Sequence, residues 1–179
     1  MPKIPPKTKE RVLPTIRGAI EPDTTKLMAL LSRLSRDEPY LVVSGVDEVT
    51  GVPLGSDTVS ADEQRASSEI FVAEVDKELA GIAICRCHPA PERNTILQLD
   101  MGVDAAYRRR GLGDALTCHV VEWARETDIH RIQLAVVAEN RAALSLYEKH
   151  GFVTEGILRR GFRLASNFHD VHVMARLLK

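Results

Sequence analysis

The sequence predicts a single α/β (α+β) domain, a mixed and mostly antiparallel sheet of about seven strands flanked by helices. Three observations carry that expectation. β-rich runs alternate along the chain with runs whose apolar residues recur three and four apart. Two pairs of β-rich runs, at 70–87 and 152–178, read as hairpins. One apolar run, Ile96 to Val103, passes through a tight basic turn into a long amphipathic run, Gly111 to Thr127. A chain of 179 residues is the size of one domain and buries a sizeable core.

The elements follow in order. Residues 1–10 are rich in Pro and Lys and are expected to form a flexible tail, leaving 11–179 as the folded domain. Val12 to Arg17 reads as a first strand. Asp23 offers an N-cap to a helix with Leu27, Leu30, Leu31 and Leu34 at helical spacing. Val46 to Ser68 has little period and many Gly, Ser, Asp and Glu residues, so it reads as a long loop with a helical turn around Ala61 to Ala66. Loops of that length are often functional, and this one is assigned to the acceptor side of a site. Ile70 to Val75 and Gly81 to Cys87 form a hairpin through Asp76–Ala80, and Pro89 to Asn94 turns into the strand Ile96 to Val103. The helix from Gly111 buries Leu112, Leu116, Val120, Trp123 and Ala124. Ile132 to Val137 is a strand and Asn140 to His150 a helix, with Asn140 as N-cap and Gly151 as its left-handed stop. Phe152 to Leu158 and His172 to Leu178 make the last hairpin. There is no internal repeat.

Composition excludes several classes. Net charge is −1 and the pI about 6.6, so no global basic field draws nucleic acid or an anionic membrane. Basic residues concentrate at Arg108 to Arg110 and Arg159 to Arg163, which suggests local anion contacts. No apolar run approaches the roughly 20 residues of a membrane span, and the opening residues lack a signal-peptide core. Three cysteines without a framework favour a reducing cytoplasm. Cys85 and Cys87 share a strand face, but zinc sites want a second pair, so they are read as buried, inert thiols and no metal is expected. His169 and His172, three apart on a strand, fall on opposite faces and cannot share an ion. His119, His150 and Cys118 lie on helices without an acid–base partner in the sequence and are read as structural.

The stretch Arg108-Arg109-Arg110-Gly111-Leu112-Gly113 carries the chemistry. Strand, tight basic turn and helix together aim backbone N–H groups and a positive helix end at an anion. A P-loop requires Lys then Ser or Thr after the last glycine, where this chain has Asp114-Ala115. The dinucleotide fingerprint requires a third Gly or Ala where Leu116 stands. What remains, Arg/Gln-x-x-Gly-x-Gly/Ala, resembles the acyl-CoA loop of the GNAT N-acetyltransferase superfamily. Downstream, Leu134 to Asn140 followed by Arg141 to Phe152 resembles that superfamily's second motif: strand, Asn opening a helix, a small residue, Leu-Tyr, then Gly-Phe. Ala143, Leu146 and Tyr147 share one helical face. The resemblance covers roughly Glu69 to Leu178.

The resemblance implies a GNAT fold and transfer of an acetyl group from acetyl-CoA directly to an amine. Strand Ile96 to Val103 would splay from strand Ile132 to Val137, with pantetheine paired to backbone at Met101, Gly102 and Val103 as an added strand. The pyrophosphate would rest on N–H groups of Arg109, Arg110, Gly111, Leu112, Gly113 and Asp114, with Arg108 at the motif's first position. Asn140, Ala143 and Tyr147 would flank the pantetheine arm. An N–H near Met101 would stabilise the oxyanion. Tyr147 stands where the family commonly keeps a general acid for the departing sulfur; a core aromatic is the other reading. The chain departs from the family at the base: Ile96-Leu97-Gln98-Leu99-Asp100 holds no Glu, so Asp100 ranks first, then Glu74, then a chain of waters. Arg159, Arg160 and Arg163 are candidates to bind a substrate carboxylate, while arginines that simply solvate an exposed hairpin are the commoner case for any one of them. The expected acceptor is the primary amine of a small molecule such as an amino acid or polyamine. The alternatives are a protein N-terminus or lysine and, in another class, a non-catalytic acyl-CoA sensor. Family precedent also allows a homodimer.

Overall fold

The computed structural model describes residues 14–37, 69–87 and 95–178. Within them the strands are β1 (Thr15–Gly18), β2 (Glu69–Val75), β3 (Glu78–Cys87), β4 (Ile96–Val103), β5 (Arg131–Val137), β6 (Val153–Leu164) and β7 (Asn167–Leu177). The α-helices are α1 (Thr24–Asp37), α2 (Leu112–Arg125) and α3 (Arg141–Lys149). The expected tail at 1–10, the loop at Val46 to Ser68 and the turn at Pro89 to Asn94 lie outside the described residues.

One seven-stranded sheet runs in the order β1-β2-β3-β4-β5-β7-β6. β4 and β5 are parallel and the other neighbours antiparallel, so the sheet is mixed and mostly antiparallel as expected. Its two faces follow strand alternation. One face, with Phe71, Ala73, Leu97, Leu99, Ile132 and Leu134, packs on Leu112, Leu116 and Val120 of α2 and Leu144 and Tyr147 of α3. The other, with Val72, Leu79, Ile82 and Ile84, packs on Leu30 and Leu34 of α1.

Several boundaries differ from the sequence reading for identifiable reasons. The β2–β3 turn is Asp76-Lys77 alone, because both residues take positive φ (51° and 67°) and reverse the chain in two residues. The final hairpin is longer than 152–158 with 172–178. Its extra length, with three Arg and turn-favouring residues such as Ser166 and Asn167, has weak β propensity and is held by pairing across the turn, with register shifts at Thr154/Gly156 and Leu158/Phe162. Asp23 caps no α-helix directly. It ends a short 3-10 turn, Glu21–Asp23, where its carboxylate accepts from Ile20 N at 2.9 Å and α1 starts one residue later. Arg17 of β1 bridges that carboxylate and Glu74 of β2, each at 2.6 Å, fastening strand, turn and helix together. Trp123 is only partly covered and meets the Phe71 ring edge-on at 5.3 Å, while Thr117 takes a fully buried place.

Candidate active site

The site begins where β4 and β5 part. Their parallel pairing is confined to Ile96↔Arg131, Leu97↔Ile132 and Gln98↔Gln133. The last pair is tied by its side chains, Gln133 Nε2 donating to Gln98 Oε1 at 3.3 Å. Beyond it, Leu99–Val103 pair with β3 alone and Leu134–Val137 with β7 alone. Two strand edges therefore face each other across an opening that widens toward their C-terminal ends. Met101, Gly102 and Val103 form one wall, and their unpaired edge can take an extended ligand as a further strand would be taken.

The basic turn closes the wide end. Asp104 first fixes the exit from β4: its carboxylate accepts from Ala106 N at 3.0 Å and from Arg33 Nε of α1 at 2.7 Å. Arg108 folds back, Nε donating to Val103 O at 3.1 Å. Arg109 and Gly111 then take left-handed backbone, φ 60° and 90°, and turn the chain into α2. First-turn N–H groups of a helix have no intrahelical acceptor, and Gly111, at the N-cap, brings no side chain to satisfy them. Leu112 points the other way and is buried in the core, anchoring the turn. A Cβ on Gly113 would come within 3.1 Å of Leu146 Cδ2 on α3, so glycine is what lets α2 and α3 close on the head of the opening. Arg110 lies over the Tyr107 ring at 5.4 Å, and its buried Nε has no hydrogen-bond partner among the described residues. Free N–H groups, a positive helix end and a buried arginine donor without an acceptor together fit a pyrophosphate.

Asp114 contributes its N–H to this turn but not its carboxylate. That group accepts from Lys149 Nζ at 2.6 Å and lies 2.9 Å from His150 Nε2, which hold it below the ordinary carboxylate range. It pins α2 to α3. Asn140 caps α3 as expected, Oδ1 accepting from Ala143 N at 3.1 Å, and Ala143 packs on the main core. One turn further, Tyr147 is 5% exposed and meets Phe152 edge-on at 5.4 Å. Burial, with a smaller push from Asp100, raises its hydroxyl well above the ordinary tyrosine range.

Asp100 approaches from the opposite face of the sheet. It sits across from Ile84 on β3, and its carboxylate is bonded to the Arg86 guanidinium. Met101 and Val103 lie within 4.0 Å of where a Cβ on Gly113 would stand, and Tyr147 is near enough to Asp100 to feel its charge, while Asn140 follows the end of β5. Other candidates lie elsewhere. Glu74 is held by Arg17 at the β1–β2 edge, two strands from β4. Arg160 and Arg163 lie over the Phe168 ring, at 4.3 and 5.9 Å, on the part of the last hairpin that extends past β5. Cys85 and Cys87 are both buried, and that burial pushes the Cys85 thiol up to about 12. His119 meets Phe71 edge-on at 4.7 Å, His169 approaches Glu139 at 3.0 Å, and His172 Nδ1 lies 3.3 Å from Thr154 Oγ1. No group of three or more metal-ligating side chains occurs among the described residues.

Sequence reasoning missed Arg86 and the Arg33–Asp104 pair. The one available signal was Arg86 itself, a charge at the third of the alternating positions Ile82, Ile84, Arg86; its pairing with Asp100 depends on strand register.

Comparisons with known proteins agree with this geometry. The family described as Acetyltransferase (GNAT) family matches residues 28–152. The L-amino acid N-acetyltransferase AaaT of Escherichia coli K12 is 28% identical over 63% of the chain and 70% of its own length. The [ribosomal protein bS18]-alanine N-acetyltransferase of the same organism is 34% identical over 42% of the chain, spanning about half (51%) of that relative. Among solved structures, a GNAT-family acetyltransferase from Streptococcus pneumoniae superposes with a TM-score of 0.79 at 31% identity, over 93% of this chain and 100% of that one. yncA from Salmonella typhimurium, solved with acetyl-CoA, shares the fold with a TM-score of 0.75 at 17% identity, over 93% and 95% of the two chains.

Proposed function

The chain belongs to the GNAT family of acetyltransferases and is an acetyl-CoA-dependent N-acetyltransferase, and from that premise we propose that its acceptor is the primary amine of a small molecule such as an amino acid or a polyamine. The observation that carries the reading is the parting of β4 from β5 directly below the Arg108–Gly113 turn. When bound there, acetyl-CoA supplies a thioester whose carbonyl an amine attacks.

Backbone at Met101, Gly102 and Val103 holds the pantetheine arm, and N–H groups from Arg109 to Asp114 hold the pyrophosphate. Asn140 and Ala143 wall the arm on the α3 side. Asp100 takes a proton from the incoming ammonium, because only the neutral amine has a lone pair to attack with. Nitrogen bonds to the acetyl carbon, the carbon–sulfur bond breaks, the Tyr147 hydroxyl gives its proton to the sulfur, and the nitrogen's second proton leaves to water as the amide forms, Tyr147 regaining its own from solvent. The raised Tyr147 keeps that proton available across the working range of pH. The Arg86 guanidinium, bonded to Asp100, holds that carboxylate in place beside the opening.

A protein N-terminus is the second reading, favoured by the likeness to the bS18-alanine enzyme. A homodimer would have the exposed Val153, Ile157 and Leu158 of β6 to cover. Three cysteines without a disulfide framework support a cytoplasmic location, and no helix among the described residues is long and apolar enough to cross a membrane.

The test is thiol release from acetyl-CoA across amino acids, polyamines and short peptides. Release with a small amine supports the reading, preference for peptides transfers it to the protein class, and no release with any amine overturns it.

A further inference from the structure

We propose that the acceptor is an α-amino acid with an aliphatic side chain, its carboxylate bound by Arg86 and its side chain by the apolar cavity between α1 and the β2–β3 hairpin. The inference rests on the N-acetyltransferase reading above and names its substrate class.

Three features lie side by side on the α1 face of the sheet. The first is a cavity of about 190 Å³ lined by Leu27, Met28 and Leu31 of α1 and Ile70, Ile82 and Ile84 of β2 and β3. A dry cavity of about 150 Å³ holds a benzene ring, so this one accepts a side chain of leucine size. The second is Arg86, two residues beyond Ile84 and on the same face of β3. One of its terminal nitrogens is bonded to Asp100, while its buried Nε has no hydrogen-bond partner among the described residues. A buried cationic N–H without an acceptor is costly, and the edge of a guanidinium is shaped for a carboxylate. The third is Asp100, across from Ile84 in register and beside the parting of β4 and β5.

Side-chain pocket, cation and anion thus match side chain, carboxylate and ammonium. Same-face positions on a strand are about 7 Å apart, at about 3.4 Å per residue, within the span of one amino acid. The arrangement also selects against the other amines considered. A polyamine would set a second cation against Arg86, and the first residue of a peptide has no free carboxylate to offer it. Held this way, the amine stands at the mouth of the opening on the α1 side, with Tyr147 approaching from the α2–α3 side.

The experiment is steady-state acetyl transfer with leucine, leucinamide, glycine and spermidine. For the unaltered protein, kcat/KM for leucine is expected to exceed that for leucinamide by about tenfold or more, from the charged hydrogen bonds the amide loses. It should exceed that for glycine by about 100-fold, from the filled cavity. In Arg86→Gln the leucine-to-leucinamide ratio should fall toward one. Both acceptors share any effect on Asp100, so the ratio isolates the carboxylate contact. Leu31→Phe, which fills the cavity, should shift preference from leucine toward alanine. A leucine-to-leucinamide ratio near one in the unaltered protein, or a ratio that survives Arg86→Gln, would overturn the proposal. Transfer to spermidine in preference to leucine would overturn it too while leaving the N-acetyltransferase reading intact. Absence of transfer to any amine would remove both.

Discussion

At the scale of single residues, Tyr147 packs in the larger core, while Asp100 lies on the other face of β4, where its pairing with β5 has ended. Burial and the Asp100 charge keep the Tyr147 hydroxyl protonated beyond the ordinary tyrosine range, whose centre is about 10. If that hydroxyl protonates the departing sulfur, Tyr147→Phe lowers kcat by more than about tenfold and leaves acetyl-CoA affinity within about twofold. The same shift predicts that kcat does not decline through ionisation of this group as pH rises from 8 to 10. A descending limb in that interval that disappears in Tyr147→Phe would contradict the raised value. Asp100→Asn should remove the ascending limb of the pH–rate profile, and an unaltered profile would rule Asp100 out as the base. The Tyr147 position was readable from the Leu-Tyr of its motif. Its burial was not, because that depends on Phe152 and the far strands folding over it.

Secondary-structure elements place the site through their ends. Gly111 combines φ 90° with open space around a would-be Cβ, so Gly111→Ala meets backbone strain alone and should cost about 1 kcal/mol while raising the KM for acetyl-CoA. Gly113→Ala meets Leu146 instead, at 3.1 Å, and should weaken cofactor binding by moving α3 rather than by strain. Asn140→Ala removes the α3 cap and should lower stability by about 1 kcal/mol, read as a lower midpoint in urea. At the β1–α1 junction, Asp23 is lowered to about 2, chiefly by its bond to Arg17 and then by the Ile20 N–H. A depressed carboxylate stabilises the fold above its unfolded value near 4, and that contribution is lost as pH falls toward 2. The difference in Tm between the unaltered protein and Asp23→Asn should therefore narrow as pH is lowered from 5 to 2. A constant difference would show that the Arg17 bridge does not stabilise the junction. The Asn140 cap of α3 was legible because that cap is local chemistry, whereas Asp23 ends a 3-10 turn instead of capping α1. The Arg17–Asp23–Glu74 bridge was not, since Arg17 and Glu74 are far apart in the chain and meet through strand pairing.

For the whole molecule, the larger core takes two of the three thiols. Cys85 and Cys87 lie in the larger core and Cys118 is exposed on α2. Burial and the charges of Asp114 and Glu122 push the Cys118 thiol up, yet it is exposed. An aromatic disulfide reagent should therefore modify it ahead of the other two, which react only on unfolding, and the slowest phase reports global opening. Saturating acetyl-CoA should retard that phase and raise Tm, because a ligand of the folded state alone stabilises it by mass action.

The sequence alone determined the class of sheet, most of its elements and the place of the Arg108–Gly113 turn between β4 and α2. Each depends on neighbours within a few residues: apolar period, cap residues and the glycines that permit left-handed backbone at Gly111 and Gly151. Strand register was decided only by tertiary structure. Register sets Ile84 across from Asp100, brings Arg86 to the same carboxylate, and ends the β4–β5 ladder at Gln98↔Gln133. No local pattern encodes it, because a slip of one residue would turn each of these side chains to the other face, and only the two packed cores forbid that slip.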